Sequence, residues 1–443
     1  MKKIILTLII ASSFVGFAQE HFSGVNTSRR VGILNGTINP AEFANLSSRI
    51  EVGLFATSIN AANNKVGFSD LVSSTNIENL IFTGSDPVNM RIDVEIQGPG
   101  AALKFHKWGF AVYSKAFAKL NLVNVDPNLG AAITNNNLSI LPLNTLSNQR
   151  LFATTWGEVA FSAARNVFEN DKNKWSLGAT FKLLFPGSYT NFGVNTLQGT
   201  LTNSGNNIYL NNATADINIA YSGSLANNFD NVSDYSKSLF GSLNGAAVDF
   251  GVNYQRKTAG GYKLNMGASF RNLGSMNFKG SDNKSTNYKL AIPQSPNQGL
   301  NLNDFQGATN LSGVEETLIQ SGYLINPESN SDLKIKLPSV FNAYADIKII
   351  PKVYVTLFTQ QKLGSDNNND QITTQNSFSI TPRVGLKSIE IYSTWATNEI
   401  SGVTGGFGYR IFGFYMGSSS IITALTSDSK QADFYFGYRF GIL

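Results

Sequence analysis

A period of two is clearest at the end of the chain. Phe434, Phe436, Tyr438, Phe440 and Ile442 fall on one face, and Asp433, Tyr435, Gly437, Arg439 and Gly441 on the other. Successive side chains of a strand point to opposite sides, so this segment is apolar on one face and polar on the other. A helix would wrap Asp433 and Arg439 round among the aromatics. The pattern recurs at Val248, Phe250, Val252 and Tyr254 against Asp249, Gly251, Asn253 and Gln255. It recurs again at Tyr262, Leu264, Met266, Ala268 and Phe270 against Lys263, Asn265, Gly267, Ser269 and Arg271. Trp175–Leu183, Ile92–Ile96 and Phe341–Ile349 alternate in the same way.

No apolar run after Phe17 is long enough for a membrane helix. Strands with one greasy and one polar face instead suit a closed barrel in lipid, where only every second residue needs to be apolar. A Lys or Arg facing lipid at mid-bilayer costs about 2–4 kcal/mol. A register slip of one residue would turn every such charge outward at once. The charged face is therefore the lumen. In this register Glu51, Asp93, Glu95, Lys115, Glu158, Lys182, Asp249, Lys263, Arg271, Asp346, Lys348, Arg383, Glu390, Arg410, Asp433 and Arg439 point inward. Clustered like charges would suggest a selectivity ring. The mixed signs favour mutual pairing that stiffens a polar interior.

Collecting the alternating segments predicts an all-β fold, a transmembrane antiparallel β-barrel of about 14 strands, the even number bacterial barrels have. The strands begin near Arg49, Arg91, Gly109, Arg150, Lys174, Gly245, Tyr262, Pro338, Val353, Gln375, Ser388, Gly402, Gly413 and Ala432. Tight turns at His106–Trp108, Lys257–Gly261, Ile350–Lys352, Lys387 and Phe412 alternate with long polar stretches at 122–149, 188–244 and 276–337. With the C-terminus periplasmic, the tight turns are periplasmic and the long loops extracellular. Pro382 falls on a lipid-facing set and lacks a ladder donor, which predicts a bulge or local unpairing. Segment 207–223 also alternates, but counting it as a spanning strand would break the turn alternation. It is assigned to an extracellular hairpin.

Composition agrees with a barrel. The 443 residues are 42% hydrophobic and 12% aromatic, with 14% charged residues, against about 25% charged in soluble domains. Met1, Lys2 and Lys3 precede an apolar stretch to Phe17, and Gly16 and Ala18 supply small residues for signal peptidase. Residues 1–18 therefore read as a cleaved secretory signal. Loss of Lys2 and Lys3 leaves 32 Lys and Arg against 29 Asp and Glu, a net charge of +3. No basic patch suggests nucleic acid. With no cysteine, disulfides and thiolate metal sites are excluded. With only His21 and His106, so is a multi-histidine metal centre.

Neither histidine falls near a Ser and a carboxylate at an outer rim, which argues against a hydrolase. Asp366-Asn367-Asn368-Asn369-Asp370 offers oxygens to calcium but lacks the spacing of a loop site, and reads as a solvated Asn-rich loop. The function implied needs no metal and no cofactor.

Residues 19–48 precede the first strand of the 49–443 barrel and do not alternate. Such a segment can hang free or fold back as a plug. It contains Gly36-Thr37-Ile38-Asn39-Pro40-Ala41, and Leu337-Pro338-Ser339-Val340-Phe341 and Met266–Gly274 stand later in the chain. On these three stretches the chain resembles the long-chain fatty-acid transporter (FadL-like) barrels, which carry an Asn-Pro-Ala in a hatch ahead of a 14-stranded barrel. Gly406-Phe407-Gly408-Tyr409-Arg410 through Phe440 looks closer still to an uncharacterised branch of such barrels in Bacteroidota.

The resemblance implies a hatch at Asn39, Pro40 and Ala41, and passive uptake of a small hydrophobic solute. Outer-membrane lipid and the outer-membrane insertion machinery would be the partners. The rival reading is a non-transporting accessory barrel of a secretion or surface-assembly machine, docking partner proteins through its long loops. A hydrophobic pocket between hatch and wall would favour transport. A lumen closed by charge pairs, with apolar patches on the loops, would favour docking.

Overall fold

The computed structural model describes residues 21–442 apart from 74–76, 135–139, 206, 224–239, 280–282, 295–298, 307, 309, 331 and 387. The expected signal at 1–18 and the turn at Lys387 lie outside the described residues. Among the described residues no helix is long and apolar enough to cross a membrane.

Fourteen antiparallel strands form the wall. They are β1 (Ile50–Asn63), β2 (Val88–Phe105), β3 (Trp108–Val125), β4 (Gln149–Glu169), β5 (Asn173–Ser204), β6 (Gly245–Thr258), β7 (Gly261–Phe278), β8 (Val340–Ile350), β9 (Val353–Lys362), β10 (Ser377–Gly385), β11 (Ile389–Asn398), β12 (Gly402–Ile411), β13 (Phe414–Ser418) and β14 (Gln431–Ile442). Each pairs with the next, and β1 pairs with β14 from Ile50↔Ile442 to Ala62↔Gln431, so the sheet closes on itself. Closure leaves no open edge in the wall. Every strand starts within a few residues of its expected position.

Alternation does the sorting. Phe110, Phe161, Phe181, Phe250, Trp395 and Phe407 stand exposed on the outer face, while Asp93, Arg150, Asp249 and Asp346 are buried on the inner one. An outer face of this kind is fit for hydrocarbon. At one end the strands join through short turns, such as His106–Lys107, Ala259–Gly260, Pro351–Lys352 and Phe412–Gly413. His106, Lys352 and Phe412 there take left-handed backbone angles. Longer connections lie at the other end.

Pro382 keeps its partner Val355 in β9, but the ladder to β11 lapses between Ile380↔Trp395 and Arg383↔Tyr392. That is the local unpairing its missing N–H requires.

The long connections also fold. β5 runs on past the wall and turns back into strand 207–222, which pairs in turn with 284–292, and that strand with 324–330. Leu197, Leu201, Ile208, Ile217, Ile219, Leu290 and Leu318 bury a separate apolar core there. The segment near 207–223 is thus a hairpin arm outside the wall. Within this outlying unit the Glu315 carboxylate accepts from Tyr288 Oη at 2.5 Å and Tyr221 Oη at 3.0 Å, and pairs with Lys284 at 2.8 Å. Burial, and then the bond to Glu315, push the Tyr288 hydroxyl above its ordinary pKa.

Candidate functional site: the filled lumen

Residues 21–46 lie inside the barrel, buried except for the half-exposed Arg29 and Arg30. A short helix, Ile33–Ile38, leads to a tight turn that begins at Asn39, whose Oδ1 accepts from the Ala41 amide at 3.0 Å. Pro40 opens the 3₁₀ stretch Pro40–Asn45, where its missing N–H costs nothing. Inward-facing glycines of the wall make room for this turn. A Cβ on Gly178 would fall 2.4 Å from the Pro40 carbonyl carbon, and one on Gly109 2.0 Å from the Phe43 oxygen.

The segment is fastened by apolar packing, of Phe22, Val25, Val31 and Leu34 with Tyr392, Tyr415 and Tyr435 and of Ile33, Phe43 and Leu46 with Ala102, Ala111 and Tyr113, and by polar side chains. Glu42 is buried, and its Oε1 accepts from Tyr344 Oη at 2.5 Å and from the amides of Asn253 and Asn265 at 2.9 Å each. Asn45 donates to the other Glu42 oxygen at 3.3 Å and to Asn253 Oδ1 at 2.9 Å. Asn39 donates to the Val252 carbonyl at 2.9 Å. Ser269 Oγ donates to the Ile38 carbonyl at 2.7 Å and Arg271 Nη1 to the Thr37 carbonyl at 3.1 Å. A buried carboxylate without a counter-cation is costly unless several donors meet it, and here neutral donors from β6, β7 and β8 do. The expected inward positions of Asn253, Asn265 and Tyr344 are occupied. Glu42, three residues past Asn39, was not singled out because its donors lie more than 200 residues away.

The inward charges pair across strands. Lys115 meets Glu95 at 2.7 Å, Lys119 meets Asp93 at 2.7 Å, and Arg91 also holds Asp93. Lys182 lies 2.9 Å from Asp249 and 3.8 Å from Glu158. Arg383 spans from Asp346 at 2.6 Å to Glu390 at 3.7 Å, and Arg30 of the inner segment reaches Glu390 at 3.5 Å. Arg439 closes the seam onto Glu51 at 2.8 Å. Asp433 accepts from Ser419 and Ser420 rather than from a cation. Arg410 is buried and donates to the Phe412 carbonyl, while Lys348 is half-buried at the short-turn end.

Lys263 is the exception. β7 bulges where Arg256↔Leu264 gives way to Lys257↔Tyr262. The extra residue moves Lys263 out to an exposed place and swings Tyr262 inward, where its hydroxyl donates to Asp346.

Above the charged belt the inner face turns apolar. Phe152, Trp156, Leu184, Met276, Ile335, Leu337 and Ile372 form one buried cluster. Segment 364–376 folds down against it. Arg150, fully buried, donates Nη1 to the Asp366 carbonyl at 3.0 Å and Nη2 to that of Gln371 at 3.1 Å, and its Nε meets Asn191 Oδ1 at 2.9 Å. Tyr189 Oη donates to the Asn369 carbonyl at 2.6 Å, and Asn148 donates to the Asn367 carbonyl at 2.8 Å. The Asn-rich stretch 366–370 is therefore latched to the wall. As expected of a solvated loop none of its residues is buried, but its carbonyls meet an arginine from a strand 216 residues earlier.

Two polar cavities remain beside this lid. One of about 250 Å³ opens at the mouth between Asn89, Asn121, Asn124, Lys362, Asp366 and Glu399. A deeper chamber of about 50 Å³ is lined by His21, Glu95, Lys119, Trp156, Glu158 and Arg271 among others. Arg91 and Thr374 line both. Two apolar grooves, of about 780 and 450 Å³, lie on the outer wall, one among Phe110, Phe161, Phe181 and Phe250, the other among Trp175, Met266, Leu357 and Phe378.

Residues 40–419, most of the chain, match the family of unknown function DUF5723. The chain belongs to that family. No curated protein matches it. Among solved structures it is similar to a Pseudomonas aeruginosa FadL homologue at 10% identity, covering 97% of this chain and all of that one, with a TM-score of 0.44. It is also similar to the Ralstonia pickettii toluene transporter TbuX, at 11% identity, 94% and 95% coverage and a TM-score of 0.41. The Pseudomonas putida toluene transporter TodX matches at 8% identity, 96% and 97% coverage and a TM-score of 0.38. These are likenesses of barrel layout; at such scores they say nothing of what this DUF5723 protein carries.

Proposed function

We propose that the protein is an outer-membrane barrel for passive passage of a small solute, shut in the conformation described by residues 21–46 as a hatch and by segment 364–376 as a lid. Exported through its N-terminal signal, it would be placed in lipid by the insertion machinery with the short turns periplasmic and the folded long loops outside.

The observation that carries this reading is a pair of adjoining polar cavities. One at the mouth and a deeper one share Arg91 and Thr374 in their linings, and His21 of the inner segment lines the deeper one. A barrel meant only as a rigid post has no need of polar cavities reaching from its mouth to that segment. The charged lining favours a polar solute. A hydrophobic one, as the resemblance implies, would find its apolar surface in the grooves of the outer wall.

Two observations favour the accessory reading: the inward charges pair across strands in the lumen, and the long connections bury a core of their own, which suits a surface for docking proteins. Liposomes separate the two readings. Those carrying the unaltered protein should take up glycine and acetate little faster than empty ones, and a variant lacking residues 19–48 should take up both several-fold faster while raffinose stays out. Uptake from the variant no faster than from empty liposomes would favour the accessory role.

A further inference from the structure

The deeper chamber holds two buried ring nitrogens with no hydrogen-bond partner among the described residues. Trp156 is 2% exposed and stacks on Phe117, with ring centroids 4.5 Å apart and planes 15° from parallel. Its Nε1 has no hydrogen-bond partner among the described residues. His21 is 9% exposed and is held through Nδ1 by Ser58 Oγ at 2.9 Å. Its Nε2 also lacks a hydrogen-bond partner among the described residues, with Asp93 Oδ2 3.9 Å away. The bond between Nδ1 and Ser58 Oγ runs in either direction; when the hydroxyl donates, the ring hydrogen sits on Nε2 and can meet an anion. Buried donors are ordinarily satisfied, and two lining one cavity mark a place for an acceptor.

Charge selects the kind of acceptor. Asp93 is shared by Arg91 and Lys119, Glu95 is matched by Lys115, and Lys182 stands between Glu158 and Asp249. Arg271 adds a further cation, so these groups together carry one positive charge in excess. Glu95 and Glu158 in the lining repel a polyanion.

We propose that this chamber binds a small monovalent anion of carboxylate size through Trp156 Nε1–H, His21 Nε2–H and the Arg271 guanidinium. The anion deepens the passage reading, on which its role as a stop along the route rests. Its occupancy is measured without flux, so either idea can fail alone.

Trp108, Trp175 and Trp395 are exposed on the outer wall, which leaves Trp156 as the lumenal fluorophore. Acetate titrated into the full-length protein in micelles, at ionic strength held by a bulky sulfonate salt, should change the emission saturably. Trp156→Phe should abolish the change, and Arg271→Gln should raise the half-saturating concentration at least tenfold. No saturable change in the unaltered protein overturns the proposal. So does an equal response to methylammonium, persistence of the signal in Trp156→Phe, or unaltered affinity in Arg271→Gln.

Discussion

Glu42→Ala should free the hatch from the wall while leaving the barrel folded. Among the described residues the carboxylate is the sole acceptor for the Tyr344 hydroxyl hydrogen and for the Asn265 amide, whereas Asn253 keeps Asn265 Oδ1 at 2.8 Å and the Met266 carbonyl at 3.1 Å. Two buried donors are therefore orphaned, at roughly 1–3 kcal/mol each. A total of about 3 kcal/mol shifts the docked-to-free ratio of the hatch by roughly a hundredfold. Amide exchange over 33–46 should quicken by that order, while protection in β6, β7 and β8 stays as it was. Glu42→Gln retains the oxygen that takes three donors but turns an NH2 toward the Asn45 amide, so it should loosen the hatch less than Glu42→Ala. Unaltered protection of 33–46 in Glu42→Ala would show that the Glu42 cage does not hold the hatch.

Arg150→Ala is expected to have the second large effect, on the lid. The guanidinium serves the Asp366 and Gln371 carbonyls and Asn191 at once, all in a buried site. Removing it leaves these acceptors unmet, at about 1–3 kcal/mol each. Against this, Ile372 remains almost wholly buried in the apolar cluster, and burial of one such side chain is worth about 1.5–3 kcal/mol. The lid should loosen rather than unfold the barrel. Proteolysis of the intact protein should shift to 364–376 and quicken by about a hundredfold, with the melting temperature little altered. Arg150→Lys should restore only part of the protection, because one ammonium cannot span three acceptors in a fixed plane. Equal cleavage rates in all three proteins would remove Arg150 from the latch.

The wall was legible because its physics is local. Phe434, Phe436, Phe440 and Ile442 against Asp433 and Arg439 state which face meets lipid without reference to any other strand, and the turn at His106–Lys107 states where a strand ends. Lys263 shows where locality fails. The alternation from Tyr262 to Phe270 is intact in the sequence, yet a single bulged residue reverses the side on which it begins.

The lumen was legible only in part. Asn253, Asn265 and Tyr344 were placed on the inner face, but that they converge on Glu42 depends on barrel closure, which no window of sequence contains. Arg150 could be placed at a strand start, and Asp366–Asp370 in a loop. Their meeting joins β4 to the β9–β10 connection across the mouth. Gly178 stood in the alternation as one small inward residue among others, and only the approach of Pro40 shows why a side chain does not fit there.

Planar-bilayer recording of the full-length protein beside a variant lacking residues 19–48 addresses the central claim most directly. The account predicts near-silence from the first and frequent, stable openings from the second. A conducting full-length protein, or equal silence from both with the shortened barrel folded, would contradict the claim that this segment closes the lumen.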